Sequence, residues 1–337
     1  MKTRTYLLPP DQNAFKANLH SHSTLSDGVL TPQELKRLYQ RHGYSVFAYT
    51  DHRAYYTHEE LADETFLPIA GYELNFNRRN DRGMTLKTCH INALALEPAK
   101  AVPIEGEGKY ETQAINDAIR RLRENGFIVN LNHPAWSTQS PEEVLELQGF
   151  TAMEVLNSGC SWTYLSPESQ LHYEAYLKAG RRILPLYTDD NHASCSKFSP
   201  GYKGAYADGA ASYPPEAETS IPAQDCCRAY TMLYAPRLDY AAVMSSLIEG
   251  RYYCSSGPEI KAYYIEEDRI CIDCSPVAAV FLKSMAWALS ASQMDIEGWI
   301  THAEFDLNRL RENGEGFFRI ELLDKNGRTA CTNPYYI

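Results

Sequence analysis

From residue 17 to residue 187 the chain repeats one pattern, an apolar run of strand length followed by helix punctuation. Ala17-Asn18-Leu19 leads into a turn and then Thr31-Pro32-Gln33-Glu34. That is a capping box with proline at the first helical position, so a helix is predicted to about His42, stopped by Gly43. Ser45-Val46-Phe47-Ala48-Tyr49-Thr50 is rich in β-formers and reads as a buried strand. Residues 66–71 and 91–96 read as the next two strands. Thr112 is expected to cap a helix in which Ile115, Ala118, Ile119 and Leu122 share one face and Gly126 ends the run. Residues 127–131 and 151–156 are strand-like, and Ser140-Pro141-Glu142-Glu143 between them is a second capping box. Ser166-Pro167 opens a further helix ending at Gly180, and residues 182–187 form the seventh strand. Seven strands mostly separated by helices predict an α/β fold, a barrel or a doubly wound sheet.

Residues 197–225 break this rhythm. They are dense in Gly, Pro, Ala and Ser without apolar period, and read as a loop insertion able to lie over an active-site mouth. A strand at 228–234 and a helix at 239–249 follow. Beyond Ser255-Ser256-Gly257-Pro258 the character changes to short strands with almost no helix. Phe318, Ile320 and Leu322 alternate there with Arg319 and Glu321, the period of a half-buried strand, and Asp324-Lys325-Asn326-Gly327 is a hairpin turn signal. The expected organisation is a unit at 1–255 carrying the 197–225 insertion, and a small all-β domain at 256–337.

Composition narrows the function classes. In 337 residues there are 32 Lys+Arg against 43 Asp+Glu, a net charge of −11, so no fold-wide basic footprint for nucleic acid exists. No apolar stretch nears the roughly 18 residues of a membrane helix, and the N-terminal apolar run is cut short by Pro9-Pro10. Nine scattered cysteines suit a reduced, cytoplasmic protein with buried thiols. Cys271-Ile-Asp-Cys274 has metal-clip spacing but no second pair at zinc-finger distance.

The chemistry stands at the strand exits. His20-Ser21-His22 closes the first strand, and residues two apart on a strand face one way, so both imidazoles can address one metal. Asp27 follows in a Ser-Asp-Gly turn. Later strands end in Thr50-Asp51-His52, Gly71-Tyr72-Glu73, Asn132-His133-Pro134 and Asp189-Asp190-Asn191-His192. In α/β barrels, catalytic residues gather at this rim. His90 instead begins its strand, and it reaches the same rim if residues 73–90 form a hairpin excursion. Six of the ten histidines (20, 22, 52, 90, 133 and 192) fall in the set with Asp27, Glu73 and Asp190; His42, His58, His172 and His302 read as structural or surface residues.

The order HxH…SDG…TDH…GYE…H…NHP…DxH resembles the PHP (polymerase and histidinol phosphatase) superfamily of metal-dependent phosphoesterases over roughly residues 15–195. Gly250-Arg251-Tyr252-Tyr253, Ser256-Gly257-Pro258-Glu259-Ile260, Arg319-Ile320-Glu321, Gly327-Arg328 and Thr332-Asn333-Pro334 resemble a subgroup of PHP metallohydrolases. The resemblance implies a distorted seven-stranded (β/α) barrel with a small C-terminal β domain and two or three divalent ions, Mn, Zn or Fe. It places His20, His22, Glu73 and Asp190 on a first metal and lets Glu73 bridge to a second, completed by His90 and His133. Asp27, which stands where some relatives have His, joins His52 and His192 on a third.

Three dications against three ligand carboxylates leave a local charge of roughly +3, which lets an acidic protein attract a phosphate ester. Asp190 and His192 are expected at the catalytic centre. Arg53, directly after the TDH exit, is the candidate for a phosphate oxygen, with Arg78, Arg79, Arg82 and Lys87 as alternatives. Asp51 and Asp189 read as supporting partners or turn formers, and Tyr72, Trp136 and Asn157 as possible pocket residues. The leading expectation is a hydrolase of small phosphate esters. A carbamate, amide or carboxylic ester hydrolase and a non-catalytic metal-loaded binding module are the competing classes.

Overall fold

The computed structural model describes residues 4–160, 168–193, 225–313 and 316–337. The expected insertion at 197–225 therefore lies, Asp225 apart, outside the described residues, as do Ser166-Pro167. In chain order the strands are β1 (Arg4–Tyr6), β2 (Asn13–Asn18), β3 (Tyr44–Tyr49), β4 (Leu67–Arg79), β5 (Thr85–Ala95), β6 (Glu107–Lys109), β7 (Phe127–Asn132), β8 (Ala152–Asn157), β9 (Leu184–Thr188), β10 (Tyr230–Ala235) and β11 (Tyr252–Ser255). They continue with β12 (Ile260–Glu266), β13 (Arg269–Val277), β14 (Ala279–Ser284), β15 (Ala291–Met294), β16 (Ile300–Asp306), β17 (Phe317–Leu323), β18 (Thr329–Thr332) and β19 (Tyr335–Tyr336). The helices that matter here are α1 (Pro32–Arg41), α2 (Thr112–Glu124), α3 (Pro141–Leu145), α4 (Gln170–Lys178) and α5 (Tyr240–Glu249).

Local signals explain most of these elements. Thr31 accepts from the Glu34 amide while the Glu34 side chain returns to the Thr31 amide, and Ser140 and Glu143 repeat this reciprocal cap on α3. Thr112 differs from expectation. It is the first helical residue behind Glu111, and its hydroxyl donates instead to Glu146 (2.9 Å). The face of α2 formed by Ile115, Ala118, Ile119 and Leu122 is buried as its spacing requires.

All seven strands expected between residues 17 and 187 form, in the order β2-β3-β4-β5-β7-β8-β9. β2, β3 and β4 run parallel; β5 is antiparallel to both neighbours; β7, β8 and β9 are again parallel. The β4–β5 hairpin is the excursion on which the placement of His90 depends.

A closed seven-stranded barrel is not found among the described residues. The ladder continues from β2 into antiparallel β10 and on through β11, β18, β17 and β14 to β15, giving one 15-stranded sheet. Because β10 takes the edge of β2 that closure needs, β9 reaches the first strand only beyond its own end. There a lone Ser21–Asn191 bridge forms, with His22 N donating to Asn191 O (2.9 Å) and Asp190 N to His20 O (3.0 Å). That stitch joins the two segments bearing HxH and DxH.

After residue 255 the described residues are mostly strand, and some of them share ladders with earlier strands. β14, β17 and β18 extend the main sheet through β11, and N-terminal β1 pairs with β12 in a separate sheet ordered β1-β12-β13-β16. Among the described residues no helix is long and apolar enough to cross a membrane.

Candidate metal centre

The strand exits converge on one pocket. Beyond β2, Ser21 turns away to donate to Ala48 O (2.5 Å), so the flanking His20 and His22 point together into the interior, both fully buried. Parallel β3 and β4 deliver His52 and Glu73 beside them, and β5 sets His90 in register with Asn75 and Asn132. His133 follows β7 at once and Asp190 lies two residues beyond β9, with φ of 26° and 48°. Left-handed backbone costs a non-glycine residue about 1–3 kcal/mol, and here it turns both side chains back over the strand ends.

The nine expected ligands form one connected set. Their donor atoms fall into four groups, each within 4.8 Å: His22, Asp27, His52 and His192; His20, His22 and Glu73; His20, His133 and Asp190; and Glu73, His90 and His133. Glu73 lies at the centre. Its Oε1 is 3.1 Å from His90 Nδ1 and 3.3 Å from His20 Nε2, and its Oε2 is 2.9 Å from His52 Nδ1. Asp27, over half exposed, is the solvent-side member, 3.4 Å from His192 Nε2.

These donors suit divalent cations. His20 Nδ1 lies 2.6 Å from Glu154, which as a carboxylate can only accept. Nδ1 therefore donates to Glu154, and Nε2 faces the pocket, 3.1 Å from His22 Nε2. Asp190 Oδ1 is buried without a hydrogen bond, although Nε2 of His22 and of His20 lie 3.0 and 3.1 Å away. Ring nitrogens converging on a buried carboxylate oxygen that makes no hydrogen bond are the arrangement a cation satisfies once they give up their protons.

The electrostatics agree. Burial pushes the Glu73 and Asp190 carboxyls up, yet the surrounding imidazoles outweigh it and hold both well below the usual carboxylate range. Burial opposes charge on His192 as well, but Asp27 and Asp190 lift it to about 9, whereas burial and repulsion from His192 drop His22 to about 4. Carboxylates this deep demand positive charge, supplied by protons on imidazole until a metal replaces them.

The supporting contacts were only partly visible in the sequence. Glu154 accepts from His20, from Thr188 Oγ1 (2.7 Å), from the His133 amide (3.0 Å) and from Asn157 Nδ2 (2.9 Å). A lone acid inside the buried run of β8 was the available signal. Asn132 donates to Glu73 Oε1 (2.7 Å), and Asn157 also donates to Asp190 Oδ2 (3.1 Å). Such partners of metal-binding residues are worth about 10–100-fold in metal affinity. Glu154→Gln, nearly isosteric, is expected to weaken metal binding by that factor in a competition titration; unchanged affinity would show that Glu154 does not orient His20.

Asp51 is a turn former. It accepts from Ser23 N (2.7 Å), Ser23 Oγ (2.8 Å) and Ser26 Oγ (2.7 Å), pinning the loop that carries Asp27. Asp189 binds the amides of Cys227, Arg228 and Ala229 and the Tyr39 hydroxyl, which anchors the chain entering β10. Trp136 packs its ring on His133 and His90, whereas Tyr72 points away, its hydroxyl donating to Ile104 O (3.3 Å).

Arg53 follows His52 with φ 60° and its side chain 56% exposed, 3.3 Å from Glu107; Arg79 shares that carboxylate at 3.2 Å. Lys87 is engaged with Glu143 (2.6 Å). His42, His58, His172 and His302 stand outside the cluster, and no candidate metal grouping among the described residues includes a cysteine.

No protein-family model and no curated protein matches the chain. Among solved structures, an amidohydrolase from Chromobacterium violaceum, with bound sulfate and no metal, aligns with 52% of this chain and 87% of its own at 16% identity, with a TM-score of 0.39. Over the whole of this chain and 99% of its own, at 15% identity and a TM-score of 0.46, the protein is similar to a two-domain protein from Bacteroides vulgatus containing a predicted PHP-like metal-dependent phosphoesterase.

Proposed function

We propose that the protein is a metal-dependent phosphoesterase acting on small phosphate esters, its catalytic unit within residues 1–255 and a β domain at 256–337. The observation that carries this reading is that six imidazoles and three carboxylates fall into four overlapping groups of donor atoms, one of them containing the buried Asp190 carboxylate. His20, His22, Glu73 and Asp190 would hold one ion, Glu73 with His90 and His133 a second, and Asp27, His52 and His192 a third. When bound, such ions supply Lewis acidity toward a phosphoryl oxygen and lower the pKa of water at the site toward about 7.

The chain's own groups do the rest. Glu154 fixes the His20 tautomer, while Asn132 and Asn157 aim the carboxylates of Glu73 and Asp190. Trp136 walls the pocket beside His90 and His133. Asp190 and His192 face the reacting group, and Arg53 leaves Glu107 to meet a phosphate oxygen. The 56% exposure of Arg53 leaves room for that exchange.

A panel of phosphate monoesters, phosphodiesters and carboxylic esters, run before and after chelation, tests the reading. Phosphate ester turnover should disappear with the chelator and return with Mn²⁺ or Zn²⁺, and elemental analysis should find two or three ions per chain. Turnover by verified metal-free protein, or activity confined to carboxylic esters, overturns it.

A further inference from the structure

The rim beside the metal cluster already holds an anion of the protein's own. Glu107, the first residue of β6, accepts from Arg53 Nη1 (3.3 Å), Arg79 Nη2 (3.2 Å) and Asn77 Nδ2 (3.4 Å). Hydrogen bonds from Arg79 and Asn77, with the charge of Arg53 added, hold the Glu107 carboxyl below its usual range, so it is charged at neutral pH. Two guanidiniums and an amide around one carboxylate are also the donor set that suits a phosphate group.

The sheet ties this cradle to the metal cluster. Parallel β6 sets Glu107 opposite Asn75 of β4, and Asn75 lies opposite His90 of β5. Residues in register on paired strands share a face, so Glu107 stands on the face that carries His90, two strand spacings or roughly 10 Å away. Arg53 bridges the interval: it follows His52, and its amide donates to Glu73 O (2.8 Å). A Cβ on Gly106 would lie 2.6–2.7 Å from Arg53 Cα, Cβ and Cγ, so only glycine lets the chain entering β6 lie flat on the arginine stem. Backbone and stem are thus fixed while the head group is free to turn, the Arg53 side chain being 56% exposed and that of Glu107 44%. Arg79 is steadied by its own hairpin, donating also to Gly83 O (3.3 Å). Ion pairs this exposed are weak, so an incoming anion can displace the carboxylate.

We propose that Glu107 is a built-in substitute for substrate: it occupies the anion position between Arg53, Asn77 and Arg79 that an anionic group of the phosphate ester takes once the carboxylate swings aside. The inference rests on the phosphoesterase reading for the nature of that group. Glu107 is a positioning residue acting through Arg53. It holds the guanidinium until an anion arrives, and it competes with that anion for it.

Inorganic phosphate, titrated by calorimetry into the Mn²⁺-loaded protein, separates this competition from turnover. Glu107→Gln keeps the side-chain shape and removes the charge, and it should bind phosphate about fivefold more tightly than wild type, the strength of one exposed ion pair. In an Arg53→Ala background the same substitution should gain less than about twofold, because the guanidinium it would release is gone. For any phosphate ester that is turned over, the gain should appear in KM rather than in kcat. Phosphate binding by Glu107→Gln that is unchanged, weaker than wild type or undetectable, a gain that persists without Arg53, or an unchanged KM overturns the proposal. The expected gain and its loss without Arg53, in a protein that turns over no phosphate ester, uphold it and sink the phosphoesterase reading.

Discussion

Glu73→Gln is expected to lower kcat/KM for any accepted phosphate ester by about 1,000-fold, equivalent to roughly 4 kcal/mol of transition-state stabilisation. The side chain is buried, and its two oxygens lie within 3.5 Å of ring nitrogens from His20, His22, His52, His90 and His133. Every proposed ion is held by Glu73 or by a histidine beside it. Glutamine preserves volume but removes the charge and offers two donors to lone pairs that need a cation. The variant should therefore lose bound metal along with activity. Fold is checked by far-UV circular dichroism, and metal content by elemental analysis. Full metal occupancy with activity within tenfold of wild type would remove Glu73 from the centre of the site.

Arg319→Ala is expected to destabilise the protein by about 3–5 kcal/mol, measured by urea unfolding. Arg319 is fully buried in β17, and its guanidinium meets Glu174 of α4 and Glu321 of its own strand, over the Tyr173 ring at 5.3 Å. Removing it leaves two carboxylates, each only 17% exposed, without their cation, and opens a cavity where the chain after residue 255 rests on α4. A surface ion pair would be worth no more than about 1 kcal/mol, so the measured size distinguishes the two cases.

The pH dependence has a definite sign. Burial pushes the Glu321 carboxyl up, but Arg319 outweighs it and holds the folded-state pKa below the ordinary value. A depressed carboxylate stabilises the fold above its unfolded pKa of about 4.3, and that contribution is lost as pH falls through the folded value. The stability gap between wild type and Arg319→Ala should thus narrow below about pH 4. A gap that is constant from pH 7 to pH 3 would assign the loss to packing alone.

Some of this was legible along the chain because it is local. Strand and helix periods, the reciprocal caps of Thr31 with Glu34 and Ser140 with Glu143, and the two-residue spacing of His20 and His22 each depend on a few neighbouring residues. A histidine or acid at nearly every strand exit was enough to nominate nine groups that the fold brings into one cluster. The hairpin reading of residues 73–90 depended only on the chain reversing, which β4 and β5 do.

Tertiary structure alone decided the rest, because sheet order, closure and outer contacts are set by pairings between distant residues, which no window of sequence contains. Whether β2 would meet β9 or β10 depends on which edge reaches it; β10 took the ladder and left a lone bridge at the rim. β1 joined strands some 260 residues away. Glu154 read only as an oddity in an apolar run until folding placed it under His20, 134 positions distant. Arg319 and Glu321 scanned as the wet face of an alternating strand, yet α4 covers that face and makes it a buried ion pair.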